Sequence, residues 1–139
     1  MRLWHQSLIP LLPRQQLLGQ HRECCALRGA GWGRRHSVVN YVFEYDPTIL
    51  VAYHHLVMNE MENRGYHPDS IWRKANWRGT RLGEEMGWAN DDKVNNYLFE
   101  VRDNNYILYP EHNDEYLNEC LDNLKSKGID LYDKIYFNS

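Results

Sequence analysis

The chain has 139 residues, 42% hydrophobic and 25% charged, enough for one domain to bury a core without staples, which excludes a disordered chain. No apolar run is long enough to cross a membrane. The net charge of −3 argues against a general nucleic-acid binder, yet it hides a split: residues 1–40 hold six arginines and one acid, Glu23, while the other 99 residues hold 10 basic and 18 acidic side chains. Such asymmetry hints at one polyanion-facing surface.

Residues 1–12 read as extended or irregular. Pro13 suits the first turn of a helix, where its missing N–H would be unpaired anyway. Arg14 to Arg28 then forms that helix, with Leu17, Leu18, Cys24, Cys25 and Leu27 apolar. Gln16, Gln20 and Glu23 fall near one face, and Gly29 to Gly33 stops the run. Val38 to Tyr45 fits a short strand or a helical turn equally well. Asp46-Pro47 starts a second helix over 48–64, ended by Gly65. A short helix is expected at Asp69–Trp77 with Asp69 as cap, and another short helical piece at Thr80–Gly87.

Residues 94–109 are the least helical stretch. Tyr97, Phe99 and Val101 alternate before Asp103-Asn104-Asn105, which admits a small β-hairpin. Pro110 to Lys127 is the last clear helix, with Leu117, Cys120, Leu121 and Leu124 as its stripe, Asn113 as cap and Gly128 as stop. The fold class expected is mostly α, a single-domain helical bundle over 1–139.

Cys24, Cys25 and Cys120 make no CxxC or zinc spacing, and a bridge between adjacent cysteines is strained. Reduced thiols in a cytoplasmic protein are the expectation. The opening Met-Arg-Leu-Trp-His-Gln has no apolar core of a signal peptide.

The first 36 residues carry the most chemistry. An α-amine has an ordinary pKa of ~7.7–8.0, so near neutral pH much of it is an unprotonated nucleophile, unlike a lysine at ~10.4. Such an amine can attack a sugar C1′, expel the base and form an imine, while a nearby carboxylate moves protons and steadies positive charge. Glu23 is the only acid in the block. By itself, Arg22-Glu23 reads first as a surface pair on a helix.

Met1-Arg2-Leu3-Trp4, Pro10, the helix from Gln16 to Arg22-Glu23, and Gly33-Arg34-Arg35-His36 together resemble the pyrimidine-dimer DNA glycosylase/AP-lyase family. The likeness is best over the first quarter of the chain. Tyr109 to Lys127-Gly128 resembles the family's later helix more weakly. The resemblance implies a mostly helical domain whose N-terminal amine is the nucleophile and whose glutamate is the essential acid. It assigns catalysis to Met1 and Glu23, and substrate or DNA contacts to Arg2, Arg22, Arg34, Arg35 and His36, with Gln16 and His21 as further candidates. It implies damaged double-stranded DNA as partner, a monomer, and no metal or organic cofactor. Arg2 is too large for ordinary removal of an initiator methionine, so the amine in play would be that of Met1. The alternative is a non-catalytic nucleotide- or nucleic-acid-binding protein on the same fold.

Two other groups stand out. His54-His55 lies mid-helix without the HExxH spacing and is expected to be a packed or surface pair. Residues 64–81 hold five basic side chains and one acid. Trp72 and Trp77 interleave with cations there, which suits base stacking or a core-packed short helix. The tail aromatics Tyr132, Tyr136 and Phe137 are expected to pack.

Overall fold

A computed structural model describes residues 1–35 and 38–136. Among the described residues five α-helices follow in order: α1 (Arg14–Arg28), α2 (Pro47–Asn63), α3 (Asp91–Asn104), α4 (Asp114–Ser126) and α5 (Tyr132–Tyr136). Shorter 3-10 helices occupy Gln6–Leu11, Asn40–Glu44 and Ser70–Arg73. The mostly helical fold expected from the sequence is what forms.

α2 is the axis of the molecule. Asp46 caps it by accepting from the Thr48 N–H at 2.8 Å, and Pro47 fills the first helical position. Thr48 through His55 are all buried, as are Val57, Met58 and Met61. A helix apolar around most of its circumference must be surrounded; α1 packs on one side of α2 and α3 on another. Leu17, Cys24 and Leu27 of α1, Val94 of α3 and Leu117, Cys120, Leu121 and Leu124 of α4 join the same core cluster.

Residues 94–109 do not form a hairpin. Asn90 caps α3 through the Lys93 N–H at 2.9 Å, and Asn105, at φ 53°, ends it. Val94, Tyr97, Leu98 and Val101 recur at i, i+3, i+4 and i+7 and face the core, whereas Phe99 is 53% exposed. The alternating pattern was a reading of two residues from the inner stripe and one from the outer face. Thr80–Gly87 also departs from expectation. Gly79, Gly83 and Gly87 all take positive φ, and the segment folds into turns closed by Arg78 N–H to Gly83 C=O at 2.9 Å.

The turn after α1 needs glycine for space. A Cβ on Gly31 would lie 2.7 Å from the Ala26 carbonyl oxygen, to which the Gly31 N–H donates at 2.9 Å. No helix is long and apolar enough to cross a membrane among the described residues.

Candidate active site

The stretch from Arg2 to Gln6 runs against α1, α2 and α4, and side chains bind its backbone. Gln20, 1% exposed, is the central clamp. Its Nε2 donates to the Arg2 carbonyl at 2.9 Å and to Glu23 Oε2 at 3.1 Å. Its Oε1 accepts from the Trp4 N–H at 2.6 Å. The orientation of the amide is thereby settled by a carbonyl on one side and an N–H on the other. Tyr53 on α2 places its hydroxyl 2.6 Å from the Trp4 carbonyl and 2.7 Å from Gln20 Oε1, with one proton to share. Tyr116 on α4 donates to the Leu3 carbonyl at 2.5 Å. His112 accepts the Gln6 N–H at 3.1 Å.

This clamp brings the N-terminal end to Glu23. The Arg2 N–H donates to Glu23 Oε2 at 3.2 Å, so the Met1 amine lies one residue from that bond. Met1 is 47% exposed, while Glu23 is half-buried. Burial pushes the Glu23 carboxyl above its ordinary pKa; the Arg2 N–H, the N-terminal amine, Gln20 and Lys127 pull the other way without cancelling it. A carboxyl held between these influences is suited to taking up and giving back a proton beside an accessible amine.

Other expected residues are placed as follows. The Arg2 guanidinium sits 5.7 Å from the Trp4 ring centre and 5.9 Å from that of Tyr116, with Cys120 Sγ at 4.0 Å. Half-buried Gln16 lies one turn before Gln20 on α1. Arg22, Arg34 and Arg35 are exposed. A Cβ at Gly19 would meet Arg22 Nη2 at an ordinary contact distance of 3.7 Å. His36 and Phe137 lie outside the described residues. His21 does not join Glu23. Two residues apart on an α-helix is about 200°, and His21 turns toward α2 instead.

There it meets a second cluster. His21 Nδ1 lies 2.8 Å from His54 Nε2, and Cys25 Sγ lies 3.8 Å from His21 Nε2 and 3.9 Å from His54 Nε2. Buried Arg28 contacts His54 Nδ1 at 3.0 Å through Nη1. It also holds the carbonyls of Trp72, Lys74 and Trp77 at 2.8, 2.7 and 3.0 Å. Burial, then the charges of Arg28 and His21, keep His54 well below the usual histidine range. Burial pushes the Cys25 thiol up to about 11. His54 and His55 are packed, as the sequence suggested.

The basic stretch 64–81 is mostly engaged within the fold. Arg64 binds the Leu12 and Pro10 carbonyls and Glu60. Arg73 pairs with Glu62 at 2.6 Å. Arg78 reaches the Arg28 and Gly29 carbonyls and lies 4.6 Å over Trp88. Lys74 and Arg81 remain exposed.

Sequence reasoning missed Tyr53, Tyr116 and Lys127 as parts of the site and left Gln20 out of it. Lys127 Nζ lies 5.5 Å from the Trp4 ring. Gln20 had a signal, its i−3 spacing from Glu23. Tyr53 had none, because a tyrosine in an apolar stripe reads as core.

A family model described as pyrimidine dimer DNA glycosylase matches residues 1–74. No curated protein and no solved structure matches the chain.

Proposed function

The chain belongs to the pyrimidine dimer DNA glycosylase family, and from that premise we propose that it is a single-domain DNA-repair glycosylase with AP-lyase activity. The observation that carries the reading is the Arg2 N–H bound to Glu23 Oε2 at 3.2 Å. It ties the α-amino end of the chain to the only carboxyl of the basic N-terminal block.

The unprotonated Met1 nitrogen attacks C1′ of a damaged pyrimidine nucleotide. The N–C1′ bond forms, the glycosidic bond breaks, and its electron pair leaves with the base, which takes a proton. The nitrogen then loses a proton, the C1′–O4′ bond opens, and O4′ is protonated as the C=N bond forms. Glu23 is the group that receives and returns these protons, and as carboxylate it steadies the cationic imine. Loss of a C2′ proton from the imine expels the 3′ phosphate, which is the lyase step. Arg2 and Lys127 add positive charge at the mouth of the site. Exposed Arg22, Arg34 and Arg35 are the candidate phosphate contacts on a damaged duplex. The three free cysteines suit a reducing cytoplasm, and the enzyme acts as a monomer.

Borohydride reduction during turnover of an abasic or dimer-containing duplex should trap a covalent adduct that maps to the Met1 peptide. Glu23→Gln keeps an oxygen for the Arg2 N–H and should bind the duplex but not turn it over. Binding by the unaltered protein with no trapped adduct would identify a non-catalytic nucleic-acid-binding protein instead. Normal turnover by Glu23→Gln would remove Glu23 from the mechanism.

A further inference from the structure

We propose that His21, Cys25 and His54 form a site for a thiophilic divalent cation of the zinc class, on the side of α1 opposite Glu23. One donor atom from each lies within 4.8 Å of the others. His21 and Cys25 are one helical turn apart, so they share a face of α1, and His54 is supplied by α2 where the two helices pack. Two nitrogens and a sulfur are the donor set of borderline and soft ions.

Two donor separations are close to those of a loaded site, and all three donors lie within 4.8 Å of one another. Two imidazole nitrogens on a tetrahedral ion are about 3.3 Å apart, and a nitrogen and a thiolate about 3.6 Å, from ordinary bond lengths. The observed 2.8 Å between His21 Nδ1 and His54 Nε2, and 3.9 Å from His54 Nε2 to Cys25 Sγ, need shifts of about half an ångström or less from those values. His21 and Cys25 are half-buried and His54 is buried, which leaves a fourth position facing outward for water. Cys25 also lines a cavity of about 570 Å³ with Trp72, Trp77 and Arg81, which opens beside this one ligand.

Arg28 decides how such an ion would be held. A guanidinium only donates, so its contact makes His54 Nδ1 an acceptor and leaves the ring proton on Nε2. That proton is donated to His21 Nδ1, which is therefore a bare lone pair pointing at the centre of the cluster. Loading replaces the Nε2 proton of His54, which moves to Nδ1, and releases the Cys25 thiol proton to solvent. Arg28 then gives up His54 and keeps its carbonyl contacts. Its positive charge opposes the ion, so the site exchanges its ion rather than locking it in.

Cobalt(II) is the probe for titration of the intact protein. One equivalent should bind with a thiolate-to-cobalt absorption band. Cys25→Ser should abolish the band, and His21→Ala should weaken binding by more than about 100-fold, beyond the loss of an outer partner alone. Alkylation of the unaltered protein needs no variant: zinc at about ten times its Kd should slow labelling of Cys25 about tenfold by mass action, and leave buried Cys24 and Cys120 unchanged. The absence of stoichiometric cobalt binding, a band that persists in Cys25→Ser, or labelling of Cys25 indifferent to zinc would each overturn the proposal.

Discussion

Acidification should unfold this protein through its buried histidine rings, His112 foremost, before its carboxylates are lost. His112 is 3% exposed. Its Nδ1 accepts the Gln6 N–H at 3.1 Å, and its Nε2 lies 2.7 Å from the Tyr41 hydroxyl. A peptide N–H can only donate, so Nδ1 carries no proton and Nε2 carries the one that goes to Tyr41. A second proton would meet the Gln6 N–H head on. Burial, and secondarily the nearby His5, pull the ring down to about 3. An unfolded histidine titrates near ~6.5. Between those values the unfolded chain binds the extra proton, so stability falls as pH falls. From pH 6 to 4.5 this ring alone costs about 2 kcal/mol. His55, lowered to about 4 by burial and then by Arg73 and Arg28, adds a similar loss. Urea unfolding at the two pH values measures these losses together with that of buried His54, which is also held low. His112→Asn keeps an acceptor for the Gln6 N–H but does not titrate. It should be less stable at pH 7 and lose about 2 kcal/mol less on acidification. An acid loss equal to that of the unaltered protein would refute the assignment.

Three more outcomes follow from the same geometry. Tyr53→Phe removes the hydroxyl shared by the Trp4 carbonyl and Gln20, and should cost about 1–3 kcal/mol in chemical denaturation; an unchanged midpoint would count against the clamp. Gln20→Ala deletes a donor to Glu23 while burial remains, so the Glu23 carboxyl should titrate at higher pH by carbon-detected NMR. A downward shift would show that Gln20 does not stabilise the carboxylate. Gly31→Ala drives a methyl to 2.7 Å from the Ala26 carbonyl oxygen, and should destabilise by about 1–3 kcal/mol, read as a lower Tm.

The helices were legible where local chemistry and burial agreed. Asp46-Pro47 and Asn113 are strong start signals, and the stripes after them are regular, so α2 and α4 appear nearly as read. α3 was not legible because its alternating aromatics mimic a strand when Phe99 is counted as inward. For the site, the sequence carried Glu23 and the N-terminal end through their spacing and the family likeness. It could not carry Gln20's contacts with Arg2, Trp4 and Tyr53, because these depend on where residues 2–4 and 53 come to lie. His21, expected among the substrate contacts, faces α2 instead of Glu23 for a local reason: two positions along a helix are a turn of about 200°. The three-residue His21–Cys25–His54 cluster was invisible to motif spacing, since its third member comes from another helix.

The side-chain grip on residues 2–6 has a consequence for the order of folding. Leu3 waits for Tyr116, 113 positions later, Gln6 for His112, 106 later, and Trp4 for Tyr53, 49 later. Contacts of such separation close late and carry the largest loop entropy. Leu3 and Gln6 therefore leave the ribosome more than a hundred residues ahead of the side chains that seat them. Until α4 docks the grip is incomplete: Gln20 and Tyr53 can already hold Arg2 and Trp4, while Leu3 still lacks Tyr116.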